Sequence, residues 1–265
     1  NILSAINGYV PEVGFGLTRL GCLASQFNLT APDARMLLSS FYWGAYAVDI
    51  IEIIIFLQID VPKRNSLKWD IVYKESGVSP YTEHPAGDIT NTIVCDSFID
   101  GIFLFRAIQS VISRGGNVFC KLAKFAEDIG VPSTYLYELL EARDAMIDNL
   151  FGTKLNLIKF HHNKLDKINF MQSIYNIKKC IYDGYKFNIA HKRSMTEYTT
   201  ADGLVLEVPK KIKAIFAARG DLGVYKLPQT FVYHKVSAKQ KGKTTYSYEL
   251  DAPIISILDG FVAVD

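Results

Sequence analysis

One change of hydrophobic period governs what this chain can become. From Ala31 to about Lys192 apolar residues recur three and four apart, and beyond Lys192 they alternate in short runs rich in β-branched and aromatic residues. A helix buries a stripe of its surface and a strand buries every second residue, so one element cannot satisfy both patterns. The expected fold class is α+β, a helical bundle followed by a small β domain. Hydrophobic residues make up 49% of the 265 positions, enough to build real cores in one or two domains.

Thr30-Ala31-Pro32-Asp33 predicts a helix start: a hydroxyl cap, a proline in the first turn and a carboxylate near the amide end of the helix dipole. That helix should run through Leu38 and Tyr42 to a break at Gly44. The next, Val48 to Gln58, is apolar almost all round, which requires burial in a bundle. Its longest apolar run, Ile50 to Ile59, contains Glu52 and falls well short of the ~20 residues of a membrane span. Val61 to Pro85, with three prolines and mixed charge, predicts a surface excursion with little regular structure. Helical spacing returns over Cys95 to Ser113 and Asn117 to Ile129. Gly130-Val131-Pro132-Ser133 then stops one helix and caps another, lined by Leu136, Leu139, Leu140, Arg143, Met146, Ile147 and Leu150. A last helix is expected over Phe170 to His191, with Ile174, Ile177, Ile181, Tyr185 and Ile189 as its stripe.

Strands are expected at Leu204 to Val208, Thr230 to Val236, Thr245 to Leu250 and Ile254 to Leu258. The turns between them are Ala201-Asp202-Gly203, Arg219-Gly220-Asp221 and a lysine-rich connection from Ser237 to Lys243. Short strands joined by basic loops suit an OB-like barrel, whose curved face and loops take single-stranded nucleic acid. Tyr225, Phe231, Tyr233, Tyr246 and Tyr248 interleave with Lys226, Lys235, Lys239, Lys241 and Lys243. By alternation, half of these rings belong to the core.

Charge follows the same division. Residues 1–153 hold 11 Lys and Arg against 17 Asp and Glu, whereas residues 154–243 hold 18 against 6. A net charge of only +2 therefore hides one strongly basic region, which implies a polyanionic partner.

No catalytic or metal-binding constellation is legible. Gly242-Lys243-Thr244 lacks the first glycine of a phosphate loop and leads into a strand rather than a helix, and Gly14-Phe15-Gly16 lacks the third glycine of a dinucleotide fold. His161 and His162 are adjacent, so on a helix their rings diverge. Cys22, Cys95, Cys120 and Cys180 form no CxxC pair, and are expected to be free, buried thiols in a reducing compartment. The sequon Asn28-Leu29-Thr30 is set aside because Thr30 reads as a cap, and the N-terminal residues show no secretory pattern.

Three stretches, in order, resemble the C-terminal region of DEAH/RHA-type RNA helicases. LTRLGCLASQF, Leu17 to Phe27, is similar to the segment that closes the family's winged-helix domain. His84-Pro85-Ala86-Gly87-Asp88 resembles its His-Pro-x-[GS]-Asp. YNIKKCIYDGYKFNIAHK, Tyr175 to Lys192, resembles the helix before its OB-like domain, with Gly184 and Ala190 in register and Tyr185-Lys186 in place of Phe-Phe. LPQTFVYHKV then falls where the family has a strand of that domain.

The resemblance implies the end of a winged helix at 1–29, a helical ratchet-like domain at 30–192 and an OB-like domain at 193–265. It implies an accessory part with no catalytic residue of its own, ATP and magnesium being bound by RecA-like motor domains elsewhere in the parent chain. The expected partners are single-stranded RNA and that motor, with no membrane, in the cytoplasm or nucleus, or in a virion for a viral member. Lys192, Arg193, Lys210, Lys211, Lys213, Lys235, Lys239, Lys241 and Lys243 are the expected phosphate contacts. Two other readings fit the same residues: a freestanding single-strand-binding protein, and a helical scaffold whose lysines are only a wet face.

Overall fold

Thr30 caps as its sequence context requires. Its hydroxyl accepts from the Asp33 amide at 3.3 Å and donates to the Asp33 carboxylate at 2.7 Å. A cap of this kind stabilises a helix by about 1 kcal/mol. It joins α1 (Arg19–Gln26) to α2 (Ala31–Trp43), which ends on Gly44 in the left-handed region at φ 67°, where the Gly44 amide donates to the Ser40 carbonyl. These details come from a computed structural model that describes residues 18–59, 67–77, 98–152, 167–194, 197–207, 229–240 and 246–257. Two compact units emerge: one is Asn1–Ile54 with Ala142–Gly184, the other Ile55–Glu141 with Tyr185–Asp265.

α3 (Ala47–Gln58) begins in the first unit and is buried over 49–57, where Ile50, Ile51, Ile53 and Ile54 expose nothing. Two carboxylates go in with them, Asp49 and Glu52, and Arg143 of α7 (Ser133–Gly152) lies 3.8 Å from Glu52. A buried carboxylate needs such a partner, because desolvation alone would cost several kcal/mol. Against α2 runs α8 (Lys167–Tyr185), and the two helices touch at Gly184. A Cβ there would stand 2.8 Å from both Met36 Cβ and the Pro32 carbonyl oxygen, so hydrogen is the only side chain this crossing admits.

The helices of the second unit correct one expectation. Within the segment expected to lack regular structure, α4 (Trp69–Glu75) folds because its rings find partners: Trp69 lies 6.2 Å from Phe56, Tyr73 lies 5.4 Å from Phe103, and the Tyr73 hydroxyl donates to Asp100 at 2.8 Å. Tertiary packing outweighed weak local propensity. Arg114 and Glu75 form an ion pair beside it. α5 (Asp100–Ser113) is almost entirely buried along Gly101–Phe105, while α6 (Val118–Ile129) runs between an Asn117 cap and a left-handed Gly130.

Five strands then close into a barrel in the order β1-β2-β3-β5-β4, all neighbours antiparallel except β3 with β5. They are β1 (Ile189–Lys192), β2 (Glu197–Thr200), β3 (Val205–Glu207), β4 (Thr230–Gln240) and β5 (Tyr246–Ile257). Following paired residues from Lys192 through Tyr198, Leu206 and Tyr248 leads to Ala238, well beyond Val232, where β4 meets the first residue of β1. That stagger is the shear a closed sheet needs. Ala190, Tyr198, Leu206 and Phe231 fill the interior, with Leu204, Tyr233, Val236 and Tyr248 packed against them.

Several strand boundaries differ from expectation. The last helix stops at Tyr185, not His191, because Ile189 and Ala190 pair with Val232 and Phe231. The short β1 and β2 carried no period long enough to separate strand from helix end. β4 continues to Gln240 through what was expected to be a connection from Ser237. β5 is one strand where two were expected, and Pro253 sits in the irregular stretch opposite Tyr233 and Lys235, where the ladder does not ask for its missing N–H. The Arg219-Gly220-Asp221 turn, His161-His162 and the His84–Asp88 stretch lie outside the described residues.

Candidate nucleic-acid interface

Among the described residues the barrel holds its basic residues at two places, and strand register decides which. Lys192 ends β1, its amide donating to the Gln229 carbonyl at 2.8 Å, and exposed Arg193 follows, its amide donating to the Glu197 carbonyl at 2.9 Å. Lys235 and Lys239 lie on β4, opposite Asp251 and Ser247. β4 leaves β1 at Tyr233 and runs on alone with β5, so from Gln229 to Lys235 the strand covers ~20 Å at about 3.3 Å per residue. Lys192 and Arg193 thus form one group and Lys235 and Lys239 another, towards opposite ends of the barrel. Lys210, Lys211, Lys213, Lys241 and Lys243 lie outside the described residues.

Lys235 points outward only because the strand changes phase. Phe231 and Tyr233 face the core, but the next inward residue is Val236, not Lys235, which is exposed. The change coincides with the register irregularity between Tyr233 and Lys235. Asn188 holds it: its side-chain amide donates to the carbonyls of Tyr233 at 3.2 Å and His234 at 3.3 Å, and its own carbonyl accepts from the Tyr233 amide at 3.0 Å. The His234 ring is then met edge-on by Phe98 and Tyr185. Without that device, alternation would turn a lysine into the barrel.

The same Asn188 contacts bring the Lys186–Phe187 turn alongside this stretch of β4. Phe187 is 72% exposed, with the Lys186 ammonium 5.4 Å from its ring centre. An exposed ring beside a lysine combines the stacking and phosphate contacts that single-strand binding uses. Sequence reasoning passed over Phe187 because it counted the residue into a helix. Its signal was the lysine immediately before it.

One part of the barrel is unsuited to a polyanion. Glu197 stands directly opposite Glu207 across β2 and β3, and Glu207 is paired in register with Glu249 of β5. Like charges placed opposite one another destabilise a ladder and repel phosphate. Arg193 flanks this row at its β1 end, since its amide bonds to Glu197.

Tyr233 carries a phenol pushed up from its ordinary value, first by burial and second by the negative charge of Asp202. Asp202 is itself held low, mainly by the Thr200 hydroxyl in the β2–β3 turn. Of the thiols, Cys180 is buried and its pKa is pushed up to about 12, chiefly by that burial. Cys22 and Cys120 are thiols as expected but exposed, a correction to the expectation that the thiols are buried, because each sits on the wet side of its helix. Cys95 lies outside the described residues. Among the described residues no helix is long and apolar enough to cross a membrane, and no three His, Cys, Asp or Glu side chains gather as a metal site.

No family model matches the chain. Its relatives among curated proteins are viral. It is 25% identical over 276 residues to the "Putative RNA Helicase B962L" of African swine fever virus isolate Warthog/Namibia/Wart80/1980, an alignment covering 96% of this chain and 27% of that protein. The counterpart from isolate Tick/South Africa/Pretoriuskop Pr4/1996 is 24% identical over 274 residues with the same coverage. The chain therefore spans about a quarter of the length of the relatives it matches, and it is a distant, nearly full-length match to one region of viral proteins named for RNA helicase activity.

Proposed function

We propose that this chain is the accessory C-terminal region of a DEAH-type RNA helicase, a ratchet-like helical part followed by an OB-like barrel. Its role is to form part of the channel for single-stranded RNA and to dock on a RecA-like motor that binds ATP and magnesium. The observation that carries this reading is the match of 96% of the chain to viral proteins named as RNA helicases. Barrel topology supports it: five strands with a parallel β3–β5 closure, basic residues at the end of β1 and running into the β4–β5 connection, the places where OB folds take oligonucleotides.

On this reading Lys192, Arg193, Lys210, Lys211, Lys213, Lys235, Lys239, Lys241 and Lys243 hold phosphates without reading sequence. The glutamates of β2 and β3 keep the strand off that face, so RNA runs along the ends of the barrel and past Phe187. The test is fluorescence anisotropy with a labelled poly-uridine strand across a salt series, comparing the chain with its Lys239→Ala, Lys241→Ala, Lys243→Ala variant. Removing three phosphate contacts should flatten the salt slope by roughly 2 and weaken binding at least tenfold at low salt. Equal binding by the two proteins would refute the assignment of the β4–β5 lysines.

A further inference from the structure

The helical unit carries an aromatic group at its surface. Tyr42 and Trp43 end α2, their rings edge to face with centres 4.7 Å apart, and Tyr42 is 65% exposed. Asp183 of α8 accepts from the Trp43 indole N–H at 2.6 Å, fixing that ring. One turn earlier on α8 the Lys179 ammonium lies 4.2 Å from the centre of the Trp43 ring and 4.5 Å from that of Tyr175, which is itself 46% exposed. Three rings and a cation are thus held in place by α2 and α8 at the surface.

The chemistry of this group narrows what it can meet. Protein interfaces exclude charge from their centres, and here an ammonium lies in the middle of the rings, where covering it with apolar surface would cost its hydration. A flat, π-faced ligand with an anion attached avoids that cost, because rings stack and the anion meets the ammonium. Single-stranded nucleic acid offers that pairing at every nucleotide.

We propose that Tyr42, Trp43 and Tyr175 form a base-stacking platform for single-stranded nucleic acid, with Lys179 as its phosphate contact. The inference rests on the RNA-binding reading above and adds to it a site outside the barrel, where α2 of the acidic region meets α8 of the basic one.

The test compares two strands of equal length and charge, oligo-uridine and the same backbone without bases. The whole chain should bind the base-bearing strand at least about fivefold more tightly. Tyr42→Ala with Tyr175→Ala should bring the ratio close to one, while Tyr42→Phe with Tyr175→Phe should preserve it, since stacking needs the ring and not the hydroxyl. In a Trp69→Phe background Trp43 is the one remaining indole of two, and its fluorescence should be quenched by oligo-uridine and not by the abasic strand. Equal binding of both strands by the unaltered chain, or a ratio the double alanine variant leaves intact, overturns the platform and leaves the phosphate-binding reading standing. Loss of all binding, to either strand, overturns both.

Discussion

In the helical unit charge is drawn inside, whereas in the barrel it is kept out and sorted by sign. Glu52 and Asp49 lie among the isoleucines of α3, and Arg143 reaches Glu52 from α7 with only 14% of its side chain exposed. In the barrel Lys235 and Arg193 are exposed, and Glu197 and Glu207 stand together on neighbouring strands. The difference separates two uses of ionic residues. A buried pair holds helices in one arrangement, and its loss is felt by the fold. Exposed charge on a rigid sheet contributes little to stability and is free to act on a partner.

The strongest way to break the comparison is at Arg143. Arg143→Ala leaves the Glu52 carboxylate buried without its cation and should lower unfolding free energy by about 3 kcal/mol in urea melts. A loss below about 1 kcal/mol would mean that water reaches Glu52 and that the helical unit treats charge as the barrel does. Next in size is Gly184→Ala, which forces a methyl against Met36 and Pro32 and should cost about 2 kcal/mol, or shift the crossing of α2 and α8.

In the barrel the effect should fall on a partner. Glu207→Gln removes one of two facing negative charges, so affinity for a labelled uridine strand at low salt should rise roughly twofold. Unchanged affinity would show that the strand does not pass near the glutamate row.

The smallest effect is at Tyr233. Its fold-raised phenol pKa means that the folded chain holds this proton more tightly than the unfolded one. That contribution is complete below the ordinary value of 10.0 and fades as pH climbs past the raised one. Thermal melts between pH 9 and about 11 should fall less steeply for Tyr233→Phe than for the parent.

Much of the helical part was legible in the chain itself. The Thr30 cap, the breaks at Gly44 and Gly130 and the burial of α3 over 49–57 follow from local rules acting within a turn or two, where sequence neighbours are also spatial neighbours. The exceptions are instructive. α4 owes its existence to Phe56 and Phe103, far from it in sequence, and no window around Trp69 contains them. In the candidate interface the residue types were legible and their grouping was not. Nothing local says that Lys235 escapes the barrel interior, because that depends on Asn188 binding β4 at a separation of 45 positions.

By itself, then, the sequence determined the succession of helices and strands, the separation of acidic from basic regions and the burial of α3, all properties of composition and period. Only tertiary structure decided which strands are neighbours. Register set Glu197 against Glu207 and divided the basic residues between two ends of the barrel, and the crossing of α2 and α8 brought Trp43 against Lys179. The physical reason is one of range: a helix is specified by residues three and four apart, while a ladder or a helix crossing is specified by residues that only the folded chain brings together.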